Sequence, residues 1–228
     1  MKSIRTKEKQ YNSLIKTSEK FGETQMGLMS NFGWKTDPMK LVFSSSRYKF
    51  VSRMLKGKSN VLEVGSGDGF YSRIVKQSVK NLTICDFDEI FIKDFQKKND
   101  FIWKINSLVH DMIKKPIKKN YDAIYFLDVL EHINKKNESR FIKNCILSMK
   151  KDGVLICGIP SLVSQKYASE ESKMGHVNCK NGDELKKTFE KYFHNTFIFS
   201  MNDEVIHTGY FKMAHYLMCI ATGLKKRV

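Results

Sequence analysis

A glycine-rich turn at residues 65–69 is the part of this sequence whose composition and spacing most clearly indicate chemistry. An apolar run at 61–64 leads directly into three glycines at alternate positions. Glycine allows a sharp turn and lets a ligand approach the backbone with no Cβ in the way. The helix expected after the turn begins with unpaired N–H groups. The residues predicted to line a cofactor here are Gly65, Ser66, Gly67 and Gly69.

An acidic residue, Glu63, lies two positions before the first glycine. In dinucleotide sites the equivalent turn holds a pyrophosphate at the start of a helix. A carboxylate beside that position suits a positively charged group, such as a sulfonium or an amine, better than a phosphate. The G-x-G-x-G spacing together with Glu63 therefore favours a nucleoside joined to a cationic group, and disfavours NAD.

Three more carboxylates follow segments that are predicted as strands. Asp86 ends the second strand, 21 residues after the first glycine, and an acid at that place can accept both ribose hydroxyls. Phe87 can then pack on the adenine. Asp111, beside Met112, is placed to accept the adenine 6-amino group. Asp128 ends the fourth predicted strand, at a crevice beside the first, where ligands bind in open α/β sheets.

Apolar runs and amphipathic segments alternate from residue 60 onward, which implies a mostly parallel sheet with helices on both faces. The helices are expected at 46–56, 71–79, 91–98, 137–150 and 183–193. The strands are expected at 60–65, 81–87, 101–107, 121–130, 153–160 and 195–201, with a strand or strand–helix at 207–221. The last two segments are close enough in sequence to pair antiparallel.

The N-terminal segment, residues 1–55, is predicted to be a helical or lid-like addition to a domain that covers 56–228. Residues 21–45 show little periodicity and suggest a loop or lid with short helical turns. Arg47 is the best candidate for a phosphate or carboxylate contact, because its planar fork suits those groups. Packing of this segment on the sheet is the alternative. The candidate acceptor-binding residues are Tyr11, Trp34, Arg47 and Tyr48.

Five segments in order resemble the successive motifs of class I S-adenosylmethionine-dependent methyltransferases. They are VLEVGSGDGF (61–70), ICDFDE (84–89), VHDM (109–112), YDAIYFLDVLEHI (121–133) and GVLICGIPS (153–161). DVLEHI is typical of small-molecule O- and N-methyltransferases such as those of ubiquinone biosynthesis. A weaker likeness, outside these motifs, is to methyltransferases of surface-polysaccharide gene clusters.

This resemblance implies a fold, a cofactor and residue roles. The implied fold is a Rossmann-like, seven-stranded, mostly parallel sheet in the order 3-2-1-4-5-7-6, with strand 7 antiparallel. The implied cofactor is S-adenosylmethionine. Its methionine part would lie on Gly65, Gly67 and Gly69, its ribose on Asp86 and its adenine on Asp111.

Three histidines are candidates for removing the proton of a hydroxyl or amine acceptor, a task that histidine often performs. His132 follows the crevice strand, His176 lies in the MGHVN loop, and His207 lies in NDEVIHTGY near the C-terminal strand. Each also has a plain structural interpretation, as a packing residue or a residue at a helix start.

The formal net charge of +16 raises the question of an anionic partner. Much of the excess is lysine in scattered doublets, which indicates a solvated surface and disfavours nucleic acid. A small polar acceptor, anionic or linked to a sugar or nucleotide, is therefore the leading prediction. An RNA or protein methyltransferase, and a non-catalytic cofactor-binding partner subunit, are the alternatives.

Other features of the sequence limit the class of protein. No cysteine pair or cluster has the spacing of a zinc site, so no metal is expected. No run of about 18 apolar residues is present, and the first residues lack the apolar stretch of a signal peptide. The sequence therefore predicts a cytoplasmic protein without a membrane span, and it leaves a homodimer open.

Overall fold

The computed structural model describes residues 5–98 and 102–225. Five strands of its sheet are parallel to one another. They are β1 (Asn60–Val64), β2 (Asn81–Asp86), β3 (Asn106–Val109), β4 (Tyr121–Leu127) and β5 (Met149–Pro160). Apolar side chains on both faces of β1 and β4 are buried, as expected for strands covered by helices on two sides.

The C-terminal third adds β6 (Phe193–Asn202), β7 (Val205–His207) and β8 (Tyr216–Leu224). The order across the sheet is β3-β2-β1-β4-β5-β8-β6-β7. β8 pairs antiparallel with both β5 and β6. The predicted Rossmann-like order is therefore confirmed, and the sheet has one more short strand, β7, than the seven expected.

The described residues contain eight α-helices. They are α1 (Asn12–Phe21), α2 (Leu28–Thr36), α3 (Met39–Met54), α4 (Ser72–Lys76), α5 (Glu89–Lys98), α6 (Lys135–Leu147), α7 (Glu170–Gly175) and α8 (Gly182–Glu190). Neighbouring residues of β1 face opposite cores: Val61 packs with α3, α4 and α5, and Leu62 packs with α6 and α8. The two cores hold the sheet rigid, so the loops at its carboxyl edge have fixed starting points.

Three predictions of local structure need correction. Residues 21–45, expected as a loop or lid, contain α2 and the first turns of α3. The third strand is β3 at Asn106–Val109, later than the predicted 101–107, of which residue 101 lies outside the described part. The segment 207–221 divides into the end of β7, a short 3-10 turn and β8.

No helix among residues 5–98 and 102–225 is long and apolar enough to cross a membrane.

Candidate active site

A crevice opens at the carboxyl ends of β1 and β4, where the order of the strands reverses. This is the position at which open α/β sheets bind ligands. A cavity of about 490 Å³ lies there, a size that suits a nucleoside-sized molecule. Its floor is formed by the glycine turn and the end of β4, and its roof by α2 and α3. The floor residues are Gly65, Ser66, Gly67, Asp68, Leu127 and Asp128.

The glycine turn can be built only with glycine at its central position. Gly67 has a φ of +52°, in the left-handed region that L side chains rarely adopt. A Cβ on Gly67 would also lie 2.5 Å from Sδ of Met29 in α2. The missing side chain therefore lets the backbone turn, and it also lets α2 approach the floor of the cavity.

Two carboxylates hold the first turn of α2 over the cavity. Asp68 accepts hydrogen bonds from the Ser30 N–H at 2.7 Å and the Ser30 hydroxyl at 3.1 Å. Asp94 of α5 accepts one from the Leu28 N–H at 2.9 Å. Negative charge at a helix N-terminus satisfies unpaired N–H groups and interacts favourably with the helix dipole. The predictions from sequence did not include these contacts, because they join segments far apart in the chain.

The position of Glu63 in the structure differs from that expected of a cofactor ligand. Its carboxylate is fully buried and accepts hydrogen bonds from the hydroxyls of Tyr48 (2.5 Å), Ser72 (2.6 Å) and Tyr125 (2.6 Å). Burial raises the pKa of Glu63 to about 7, against the lowering effect of the three hydrogen bonds. Glu63 therefore joins β1, α3, α4 and β4 beneath the cavity and does not line it. Tyr48, predicted to bind the acceptor, is one of its partners and does line the cavity.

Asp86 lies next to the glycine turn, as its predicted role requires. One carboxylate oxygen accepts the Gly67 N–H at 3.0 Å and the other accepts the Asp88 N–H at 3.0 Å. Phe87 is 75% exposed beside it. Asp86, at the end of β2, thus stabilises the glycine turn through this hydrogen bond to Gly67.

The residues predicted around the adenine lie farther along the edge. Asp111 is half-buried, and its carboxylate accepts the Ile113 N–H at 2.8 Å. Met112 is buried in the core below, where its carbonyl accepts a hydrogen bond from Asn144 at 2.7 Å. The side chain of Met112 therefore packs in the core, and it does not line the cavity in which the cofactor is predicted to bind.

Arg47 and Asp128 form an ion pair at the end of β4, with Nη1 2.7 Å from Oδ2. The guanidinium carbon lies 3.7 Å from the centre of the Tyr216 ring. Burial has the largest single effect and would lower the pKa of Arg47, but the charge and hydrogen bond of Asp128, together with the charges of Tyr216 and Glu131, outweigh it and the pKa is raised. Asp128 has a φ of +55°, which is unusual for a residue other than glycine and is a conformation found at functional sites. The sequence placed both residues near the site but did not pair them.

Buried polar atoms without hydrogen-bond partners surround this ion pair. Within the described residues they are Arg47 Nε, both carboxylate oxygens of Glu131, Ser161 Oγ, His215 Nε2 and the Tyr216 hydroxyl. The charge of Arg47 influences Glu131, His215 and Tyr216, and the Ser161 N–H donates to the carbonyl of His215 at 2.9 Å. We name these five residues the polar cradle. Buried polar atoms in proteins are normally paired, so a polar ligand is expected to pair them.

Sequence reasoning missed most of the polar cradle. Of its members, only Arg47 was a candidate. Glu131 carried a signal, since it is an acid between Leu130 and His132 directly after the crevice strand. Ser161 and Tyr216 carried none, because a serine after a strand and a tyrosine within one are common structural residues.

His132 and His176 come together beside the polar cradle, with ring centroids 5.1 Å apart. Nδ1 of His132 is 2.9 Å from the Gly175 carbonyl oxygen, and Nδ1 of His176 is 2.7 Å from Oε1 of Gln165. Burial lowers the pKa of His176, and the nearby His132 lowers it further. Burial raises the pKa of Glu131 well above its ordinary value, and the charge of Asp128 raises it further.

The remaining candidates lie away from this site. His207 is on β7, four strands from β4, or roughly 19 Å at about 4.8 Å per strand. Both its ring nitrogens have partners, Asn202 Oδ1 at 3.0 Å and the Gly209 N–H at 2.9 Å. Trp34 and Tyr11 are more than half exposed and do not line the cavity. The structure therefore does not support catalysis by His207 or acceptor binding by Trp34 and Tyr11.

Comparison with known proteins agrees with this geometry. Residues 62–157 match the family described as "Methyltransferase domain". Phosphoethanolamine N-methyltransferase 1 of Caenorhabditis elegans is 24% identical over 132 residues, which are 55% of this chain and 28% of that protein. The chain thus spans less than a third of that relative.

Two solved structures share the fold over most of their length. The N-methyltransferase NodS from Bradyrhizobium japonicum WM9, in complex with S-adenosyl-L-homocysteine, has a TM-score of 0.62 at 17% identity and covers 83% of this chain and 91% of its own. A possible histamine N-methyltransferase from Thermotoga maritima has a TM-score of 0.64 at 16% identity, with 85% and 97% covered.

The strand order, the glycine turn and the family match over residues 62–157 together identify a class I S-adenosylmethionine-dependent methyltransferase domain within this chain. S-adenosylmethionine is accordingly the cofactor for which the glycine turn at β1 is built.

Proposed function

We propose that this methyltransferase moves the methyl group of S-adenosylmethionine to an oxygen or nitrogen of a small, polar, anionic metabolite, such as a sugar- or nucleotide-linked compound. The observation that carries the proposal is the polar cradle, which gathers one cation and four other residues with unpaired buried polar atoms and is joined to the cofactor cavity through Asp128, the partner of Arg47. Methyl transfer from a sulfonium depends mainly on positioning, so a built acceptor site of this kind is what the reaction needs.

The chemistry of Arg47 selects an anionic group. Its Nη1 is held by Asp128, which fixes the plane of the guanidinium, and its Nε is buried without a partner. A phosphate or carboxylate can take such a donor in a charge-assisted hydrogen bond. The name of the Caenorhabditis elegans relative, whose acceptor carries a phosphate, is consistent with this choice.

The cofactor roles follow the motif order. In this proposal the methionine part of S-adenosylmethionine lies on Gly65–Gly69, the ribose hydroxyls bind Asp86 and the adenine amino group binds Asp111. Asp128 stands between the cofactor and the acceptor. Residues 1–55 act as a helical addition to the domain and close the cavity through α2 and α3.

The reacting end of the acceptor then faces His132 and His176. These two are the histidines nearest Asp128 among the three candidates, and the charges of both His132 and Asp128 influence the pKa of His176. A hydroxyl or amine acceptor must lose a proton during transfer. The proposal therefore locates that event at this pair.

The test combines binding with product analysis. The protein is first titrated with S-adenosylmethionine in a calorimeter. It is then incubated with a deuterated methyl donor and a panel of phosphorylated, carboxylated and neutral small molecules, and labelled products are found by mass spectrometry. We expect labelling of anionic compounds in preference to their neutral analogues.

A variant pair on one helix sharpens this test. Arg47→Gln should raise KM for the anionic acceptor by about tenfold to a hundredfold, since a hydrogen bond to a charged group contributes about 1.5–3 kcal/mol. The affinity for S-adenosylmethionine should stay unchanged. Arg53→Gln, at an exposed site on the same helix, is the control. Equal labelling of neutral and anionic compounds, or identical KM values in both variants, would contradict the anionic acceptor.

A further inference from the structure

Three side chains beside the cofactor cavity have the composition of a metal site. Glu131, His132 and His176 each offer a ligand atom, and these atoms all lie within 4.8 Å of one another. Ligands about 2.1 Å from one ion lie roughly 3–3.5 Å apart, so the three groups need to approach by no more than about 1–2 Å. We propose that Glu131, His132 and His176 bind a divalent first-row transition-metal ion, on which the anionic acceptor is held.

The state of Glu131 is the strongest support. Its side chain is fully buried, and neither carboxylate oxygen has a hydrogen-bond partner within the described residues. An uncompensated buried carboxylate is strongly destabilising, so such groups are found paired or bound to metals. Arg47, the cation whose charge acts on Glu131, is already paired with Asp128. A metal ion at this position would satisfy the carboxylate.

The hydrogen bonds of the two imidazoles resemble those of histidines in known metal sites. The partners of both Nδ1 atoms, the Gly175 carbonyl and Gln165 Oε1, can only accept. Each Nδ1 therefore carries the proton, which leaves a lone pair on Nε2. Metal-bound histidines nearly always donate their other N–H to such an oxygen, which fixes the ring.

The backbone holds the two halves of the site together. Glu131 and His132 lie in the 3-10 turn Leu130–His132 after β4, and His176 lies in the loop after α7. The Asn178 N–H donates to the Glu131 carbonyl at 2.9 Å, and the Gly175 carbonyl accepts from His132. These contacts pin the loop to the turn, so the ligand set needs little reorganisation. His132 is exposed, so an ion can reach the site from solvent.

The donor set also limits the kind of ion. Two imidazoles and one carboxylate suit ions from manganese to zinc, and leave coordination positions open. Magnesium prefers oxygen donors and retains its water. Because the site adjoins Arg47, a bound ion would add a second positive centre for the acceptor and would make an acceptor hydroxyl more acidic. This role, but not the binding itself, rests on the proposed function.

Metal binding can be measured without cofactor or acceptor. The chelator-treated protein is titrated with Mn²⁺, Zn²⁺ and Mg²⁺ by calorimetry, and with Co²⁺ by visible absorption. We expect one ion per chain, with Mg²⁺ the weakest. Glu131→Gln and His176→Asn should each lower the affinity by about 100-fold or more, since loss of an outer partner alone costs about 10–100-fold. The exposed-site variants Glu204→Gln and His194→Asn should bind as the wild type does.

Several outcomes separate this proposal from the proposed function. Absence of binding in the wild type, or unchanged affinity in both site variants, overturns the metal site. If Glu131→Gln does not fold, His176→Asn decides alone, because its side chain is only partly buried. Full methyl transfer by the chelator-treated protein, with slow transfer by His176→Asn, would show that the imidazole removes the proton directly and would overturn the role of the ion in holding the acceptor. Metal binding without any methyl transfer would overturn the proposed function and leave the metal site standing.

Discussion

Replacing Glu63 with glutamine should change how the stability of the protein depends on pH. In the folded protein the Glu63 carboxyl is buried and its pKa is raised to about 7, from an ordinary value of 4.5. The folded state therefore binds this proton more tightly than the unfolded state does between those two values. Where the folded state binds more protons, stability falls as pH rises. The contribution of Glu63 is most favourable below about pH 4.5 and is lost by about pH 7.

The size of the effect follows from the two pKa values. At about 1.4 kcal/mol for each pH unit, the difference corresponds to about 3 kcal/mol of unfolding free energy. Glutamine has nearly the shape of the protonated acid. Its amide oxygen can accept hydrogen bonds from the hydroxyls of Ser72 and Tyr125 and its amide N–H can donate to the hydroxyl of Tyr48, but it does not titrate. Glu63→Gln should match the wild type near pH 4.5 and exceed its stability by about 3 kcal/mol above pH 7.

Urea unfolding at a series of pH values measures this difference directly. Glu204→Gln, at an exposed carboxyl, controls for the exchange of acid for amide. Parallel pH profiles for Glu63→Gln and the wild type would refute the reasoning. So would a Glu63→Gln protein of unaltered stability that fails to bind S-adenosylmethionine, since Glu63 would then act as a ligand and not as a core residue.

Three further perturbations test the site. Asp86→Ala should weaken S-adenosylmethionine binding by about tenfold or more and lower stability by about 1–3 kcal/mol, because the Gly67 N–H loses its acceptor; calorimetry showing wild-type affinity would remove Asp86 from the site. Gly67→Ala places a Cβ against Met29 and should weaken cofactor binding. Gly57→Ala is the control, because Gly57 also has a positive φ, +84°, but a Cβ there would have no atom within 4 Å, so this variant introduces backbone strain without a clash. Equal cofactor affinities in the two variants would exclude an effect of the clash with Met29. His207→Ala should leave turnover within about twofold of the wild type, and a large loss would return it to the catalytic candidates.

Much of the parallel sheet could be predicted from the sequence. Short apolar runs alternate with amphipathic helices from Asn60 onward, and each run is set by local composition. β3 is the exception, because its residues Asn106–Val109 are only partly buried or exposed. An edge strand of this kind lacks the continuous apolar run that marks a central strand.

The N-terminal helices were harder to predict because contacts distant in sequence stabilise them. α2 contains Gly33, which weakens a helical signal, and Pro38 interrupts the segment between α2 and α3. The first turn of α2 is satisfied by Asp68 and Asp94, which lie 38 and 66 residues from their partners. No local pattern reports a cap supplied from another part of the chain.

The candidate site was predictable where a motif fixes residue types and was not predictable where partners matter. The glycine turn and Asp128 lie at the crevice, as their spacing predicted. Glu63 shows where prediction from a motif fails. Three hydroxyls from separate elements donate hydrogen bonds to its buried carboxylate, and its position in the motif does not reveal these partners. Its raised pKa follows from that burial.

The fastening of α2 over the glycine turn has a kinetic consequence. Any molecule that leaves the cavity past this helix must wait until Asp68 and Asp94 release the Ser30 and Leu28 amides. Such a cluster of contacts opens as a unit, so the residence time of the spent nucleoside is set by a cooperative event in the protein. We therefore expect departure of S-adenosylhomocysteine to limit turnover, and the amides of Ser30 and Leu28 to exchange with solvent at one common rate.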